Sequence, residues 1–232
     1  MRARSASMDC HVSRRKNTSG VSLISCFTMR VRLPMAGAST ASPRAVAKEH
    51  HVVSPQDEVV FGHTVEGLLV ALDGHLDASL RAKFKDAGLD LDRKMAPAYP
   101  KAQWYQWLRL AAETLFPGVP LPQAHWRLGE RFITAYFSTA MGRALQAVLK
   151  ILGPARTLER TTRNMASGSN YVRVDVERLA PTDYRLKVND AGIHPEFFGA
   201  LCHFGTLTTG VEGLTTEVEG RDGPSATYRM RW

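Results

Sequence analysis

The chain has 232 residues, of which 44% are hydrophobic and 22% charged, ordinary usage for one globular domain with or without an appendage. Its net charge of +8 is unevenly placed: residues 1–50 carry nine Lys and Arg against Asp9 and Glu49, and the remainder carries 21 against 20. A near-neutral body gives no argument for a phosphate partner, so contact with nucleic acid or an anionic membrane is expected only through the N-terminal segment.

Residues 1–54 are rich in Ser, Thr, Arg, Ala and Gly and show no sustained hydrophobic period. Such a segment buries too little apolar surface to offset the entropy of ordering, and it is predicted to be a basic, disordered tail. Met29 and Met35 offer later starts. Val21–Met29 is apolar, but Ser22, Ser25 and Thr28 interrupt it and Arg30 and Arg32 follow it, which argues against an export signal. Cys10, Cys26 and Cys202 form an odd, sparse set, which points to reduced thiols and a cytoplasmic location. No run reaches the ~20 apolar residues of a membrane-spanning helix.

From Asp57 the hydrophobic period becomes helical. Val65, Leu68, Leu69 and Leu72 make one face and stop before Gly74. Asp77 is placed to cap a second helix, with Leu80 and Phe84 four apart and Gly88 beyond its end. Pro100 opens a third helix at a first-turn position, with Trp104, Trp107, Leu108 and Ala111 on its apolar face. A fourth runs from about Pro122 through Leu128, Phe132 and Tyr136, passes or breaks at Gly142, and continues to Gly153. Pro154 starts another that fades near Gly168.

The period then changes to alternation. Val172, Val174 and Val176 alternate with Arg173, Asp175 and Glu177, and Tyr184, Leu186 and Val188 alternate with Arg185 and Lys187, so a hairpin is predicted. A helix follows from Pro195, with Phe197, Leu201 and Phe204 on one side. Leu214, Thr216 and Val218, then Ala226, Tyr228 and Met230, form the apolar face of a second hairpin. Residues 55–232 are therefore predicted to be a single α+β domain. It is an N-terminal helical bundle followed by a strand-strand-helix-strand-strand antiparallel sheet.

Two resemblances attach to these residues. Val60-Phe61-Gly62-His63-Thr64-Val65-Glu66-Gly67-Leu68, Leu115-Phe116-Pro117-Gly118, Gly168-x-Asn170-Tyr171 and His194-Pro195-x-Phe197-Phe198 stand in order along the body. They resemble an uncharacterised paralogous family found in myxobacteria, which implies membership and no activity. Residues 128–218 look like the haem-binding nitric-oxide sensor (H-NOX) domain and its haem-free relatives, through Leu128-Gly129-x-x-Phe132 and the closing order of strands and helix. That resemblance implies a ligand-binding scaffold with a cofactor wedged at the junction of helices and sheet. Where the sensors carry their haem-ligating His, this chain reads Arg163-Asn164-Met165-Ala166-Ser167-Gly168, and their propionate clamp is missing. No haem or other cofactor is therefore expected.

Other short patterns carry little chemistry. Gly62-x-x-x-x-Gly67 has P-loop spacing without the Lys-Ser/Thr that grips phosphate, and reads as helix start and close packing. Asp90 and Asp92 could hold a cation or do acid–base work, or simply cap and turn the chain. No His or Cys spacing suggests a metal site. The function expected is a non-enzymatic regulatory or sensory module that binds a small apolar ligand or a protein partner between helices and sheet, a homodimer being compatible. The alternatives are an enzyme of unrecognised type using Asp90, Asp92 or His194, and a tether to nucleic acid or an anionic membrane through the tail.

The candidate ligand-binding residues are Tyr136, Phe197 and Phe204 on apolar helix faces, with Ser169, Asn170 and His194 as polar neighbours. Ala200 is a small junction residue whose enlargement to Trp is expected to close the site and spare the fold. No catalytic residue is assigned. Limited proteolysis should leave a stable fragment beginning between about residues 50 and 60, because a segment with too few apolar residues is cut first. Even cleavage along the body would refute that boundary.

Overall fold

The computed structural model describes residues 54–232; the expected tail, apart from Ser54, lies outside the described residues, as do Cys10 and Cys26. Helix α1 (Gly62–Ala71) ends before Gly74 and α2 (Ala78–Asp86) is capped by Asp77, whose carboxylate accepts from Leu80 N at 2.7 Å. Helix α3 (Lys101–Leu115) starts just after Pro100. Helix α4 (Leu121–Tyr136) ends earlier than expected, because the chain turns at Ser138 and Thr139 caps the next helix through Gly142 N at 3.0 Å. Helix α5 (Ala140–Glu159) is broken at Gly153, whose φ of 72° is open to glycine and whose successor is Pro154. A short α6 (Thr161–Ala166) completes the helical half.

Two short strands went unpredicted. β1 (Val59–Phe61) pairs antiparallel with β2 (Ala98–Pro100), and Gly168 and Asn170 extend the pairing from its other side through Phe61 N to Gly168 O (2.9 Å) and Asn170 N to Val59 O (3.1 Å). Three residues are too few to show an alternating pattern, so only the tertiary pairing reveals them. The Gly62 to Gly67 spacing is packing, as expected: a Cβ at Gly62 would meet Ala96 O at 2.5 Å and one at Gly67 would meet the Tyr136 ring at 3.0 Å.

The second half is the expected α+β arrangement. Strands β3 (Val174–Ala180) and β4 (Asp183–Val188) form one hairpin, α7 (Pro195–Leu207) follows, and β5 (Thr215–Asp222) with β6 (Ser225–Arg231) forms the other. The hairpins join through β4 and β6 in a four-stranded antiparallel sheet of order β3-β4-β6-β5. Tyr184, Leu186, Tyr228 and Met230 are fully buried on its inner face. Val218, expected on that face, is instead 45% exposed, because β5 is an edge strand with a register shift between Val218 and Gly220. On the wet face Arg185 of β4 reaches Glu177 on neighbouring β3 (3.1 Å) and, past β6, Glu219 on β5 (2.9 Å). No helix among the described residues is long and apolar enough to cross a membrane.

Two apolar clusters make up the interior. Trp107, Leu68, Phe84 and Leu128 are buried in the helical one, and Tyr184, Leu186, Tyr228 and Met230 in the one under the sheet. Helix α7 stitches them, turning Phe197 to the helices and Phe198 to the sheet. It lies against α4 so closely that a Cβ at Gly129 would stand 2.6 Å from Ala200 Cβ and 2.7 Å from Phe197 O. Gly129→Ala should therefore destabilise the protein, by about 1–3 kcal/mol as for other overpacked cores, measured by urea denaturation. An unchanged midpoint would show that the two helices can part without cost.

Candidate functional site: a cavity at the junction of helices and sheet

Beside this crossing lies a cavity of about 470 Å³, within the roughly 300–1,000 Å³ usual for small-molecule sites. Its walls come from β1, α1, α3, α4, α6 and α7 and from the segment that joins β4 to α7. Val60, Leu108, Phe132, Met165, Phe197 and Leu201 supply apolar lining. The aromatic groups prop one another: Trp104 meets Phe132 and Phe197 edge-on at 6.2 and 6.3 Å, and Phe132 meets Phe197 at 5.6 Å. Exposed Gln106 and Arg109 of α3 also line it, as does Ile193, which is 67% exposed although apolar.

One polar group of the cavity is a closed network around Asp190. This carboxylate accepts from Lys101 Nζ (2.9 Å), Tyr105 Oη (2.7 Å) and Gly192 N (3.0 Å), and Lys101 also pairs with Glu58. Desolvation works against the Lys101 ammonium, yet the hydrogen bonds to Glu58 and Asp190 outweigh it and raise its pKa. Burial raises the Tyr105 and Tyr171 hydroxyls far above their usual range, so both are held as phenols. The network ties α3 to the segment before α7. It leaves two carboxylates facing one ammonium.

The second polar group is a pair of imidazoles. His125 of α4 is 3% exposed, and its Nδ1 donates to Leu121 O at 2.8 Å. His194, the N-cap of α7, lies against it, with ring centroids 4.1 Å apart and planes tilted by 31°. Burial pulls the pKa of His125 below its usual value, with the neighbouring His194 adding to the effect, and burial does the same to His194 and His203.

Of the residues picked from the sequence, Ser169, His194 and Phe197 line the cavity. The other four do not. Asn170 is a backbone clamp, accepting from Val59 N and donating to Asp57 O, each at 2.8 Å. Tyr136 stacks on Phe132 at 6.0 Å behind the wall. Phe204 packs on Trp126 further along α7, at 5.9 Å. Ala200 touches Gly129 at the helix crossing, so Ala200→Trp would force α4 and α7 apart rather than fill the site. Asp90 and Asp92 line a separate groove beside α2, where Asp90 pairs with Lys85 (3.2 Å) and Asp92 with Arg81 (2.5 Å). They share no cavity with His194. Sequence reasoning passed over Lys101, Tyr105, His125 and Asp190. Nothing local in the sequence marks a lone Asp or a lone His as facing a cavity.

Residues 58–232 match the family described as "Protein of unknown function (DUF2378)". The chain belongs to that family. No curated protein matches it. Among solved structures, an oxygen-binding H-NOX domain related to soluble guanylate cyclases is 13% identical, with a TM-score of 0.50 over 73% of this chain and 93% of that one. An H-NOX structure bearing on the mechanism of H-NOX activation is 14% identical, with a TM-score of 0.51 over 74% and 95%. A Cs H-NOX carrying 4-cyano-L-phenylalanine is 13% identical, with a TM-score of 0.51 over the same shares. The DUF2378 chain therefore has an H-NOX-like fold.

The haem-ligand position that the resemblance implies carries no imidazole here. Haem iron needs an axial donor. Helix α6, where the resemblance places that ligand, brings only the Met165 thioether to the cavity, and the imidazoles that line it, His125 and His194, belong to α4 and the start of α7 and lie ring against ring at 4.1 Å. Cys202 is buried in the sheet cluster with its thiol pushed up to about 12, and the tyrosines are phenols. Glu58 and Asp190 would repel propionates. Among the described residues no group of three His, Cys, Asp or Glu is placed to hold a metal ion. Expression with added haem should give no stoichiometric Soret band; a stable one would overturn this reading.

The three histidines with lowered pKa set a pH dependence. Each is neutral in the fold and must take up a proton less readily than in the unfolded chain. Their contribution is present above the unfolded value of about 6.5 and is lost as pH falls through the folded values. The melting temperature should therefore drop between pH 7.5 and 5.5, and His194→Asn should shrink the drop. A flat profile would contradict the burial of these rings.

Proposed function

We propose that this DUF2378 protein is a cytoplasmic sensory module that takes a small apolar molecule into the cavity between its helices and sheet. One observation carries the reading: the junction stays open instead of collapsing, with an apolar lining and a few placed polar groups, the usual make-up of a small-molecule site. Aromatic rings braced edge-on against one another hold the space, since closing it would require breaking their mutual contacts. The H-NOX-like fold supports the reading, because a domain of that fold is described as binding oxygen, a small apolar molecule. A guest would touch α3, α4, α7 and the 189–194 segment together, so its arrival would be felt in both halves of the fold.

A protein partner is the second reading. Met141, Val148 and Ile151 leave α5 with apolar side chains that are 57%, 45% and 85% exposed, more than a surface helix usually shows. Neither reading uses Asp90 or Asp92.

Native mass spectrometry of the protein purified from its own host should show a retained small molecule. Titrating that molecule should raise stability with the logarithm of its concentration, by about 2.7 kcal/mol at a hundredfold excess over Kd. Leu201→Trp, which fills the cavity from a half-buried position, should abolish the shift and leave the melting temperature of the free protein close to wild type. A shift that survives Leu201→Trp would place the ligand elsewhere.

A further inference from the structure

The cavity's polar groups differ in what they leave free. Asp190 already accepts three hydrogen bonds, from Lys101, Tyr105 and Gly192. Thr64 Oγ1 donates to Gly168 O at 3.1 Å. Ser169 Oγ accepts from Val172 N at 3.4 Å and keeps a hydroxyl proton that any oxygen can accept, so it selects little. His125 is the group with a defined vacancy. Its Nδ1 faces the Leu121 carbonyl at 2.8 Å. A carbonyl can only accept, so Nδ1 carries the proton and a neutral ring leaves Nε2 as a bare acceptor. Burial keeps the ring neutral near pH 7. Among the described residues nothing donates to that Nε2, although the residue is 3% exposed and lines the cavity.

A guest that displaces water from this acceptor without bringing a donor strands it, which is costly, and a guest that supplies the donor avoids that cost. A carboxylate brings only lone pairs to this nitrogen, and Asp190 with Glu58 already leaves an excess of negative charge around Lys101. A plain hydrocarbon leaves the acceptor unmet. Resting on the cavity reading above, we infer that the ligand is an uncharged apolar alcohol or phenol, whose hydroxyl donates to His125 Nε2 while its hydrocarbon body lies against Leu108, Phe197 and Phe132.

Three probes of one shape test this on the full chain: 4-propylphenol, propylbenzene and 4-propylbenzoate, each titrated by calorimetry at pH 7.5. The phenol should bind about threefold to tenfold more tightly than propylbenzene, the range expected of one hydrogen bond, and the benzoate more weakly than the phenol. His125→Phe should bring phenol and hydrocarbon level and leave propylbenzene within about twofold of its wild-type affinity. In wild-type protein the ¹⁵N resonance of His125 Nε2 should move with the phenol and stay with propylbenzene, which decides the matter even if the variant does not fold. Tighter binding of the benzoate, equal binding of phenol and hydrocarbon, or a phenol preference that survives His125→Phe would overturn the inference while sparing the cavity reading. If none of the three binds, the cavity reading fails and the inference with it.

Discussion

The contact between α4 and α7 at Gly129 and Ala200 is the constraint from which the rest follows. One helix belongs to the bundle and the other carries the sheet, and their backbones can approach only because one side chain is missing and the other is a methyl group. That close crossing sets the tilt of α7. The tilt in turn sends Phe197 toward the helices and Phe198 toward the sheet, so a single helix serves two cores. Where the crossing is tight the interior is solid. Beside it lies the cavity, lined by the mutually braced rings of Trp104, Phe132 and Phe197 from α3, α4 and α7.

The cavity is therefore a by-product of helix geometry that polar groups have then been placed around. The Lys101–Asp190–Tyr105 network holds the segment before α7 against α3. Buried ion pairs contribute little net stability once desolvation is counted, but breaking one leaves an unmatched charge, so they fix position strongly. Gly192 belongs to the same device. Its φ of 74° lets the chain turn where a Cβ would strike the Tyr105 ring at 2.7 Å. The result is a wall of the cavity that is held at Asp190 and open at Ile193.

Shared fold and altered site fit together on the same physics. An H-NOX-like fold needs two hairpins joined at their inner strands and a helix that bridges to a bundle, and alternation plus helical periodicity are enough to specify both. A cofactor site needs a few named donors at fixed points. Here the α6 position holds a thioether, and the nitrogen-bearing rings sit across the cavity on α4 and α7. Scaffold and chemistry are separable because they rest on different residues.

The sequence by itself determined the elements and their class. Periodicity placed the helices, Asp77 and Pro100 marked two of their starts, and alternation in Val172–Val188 and Leu214–Met230 announced the hairpins, since all of these depend on neighbours within a turn or a strand. Ser169, His194 and Phe197, singled out from the sequence, line one cavity. What the tertiary structure alone decided depends on residues far apart in the chain. The pairing of β1 with β2, the role of Asn170 as a clamp on Val59, and the meeting of Lys101 with Asp190 span separations that no local pattern encodes. Ala200 and Phe204 looked like site residues because they are apolar and on the right helix. Which side of α7 faces a cavity and which faces Gly129 is settled by how two helices pack, and a helical period gives every apolar position on that face the same signature.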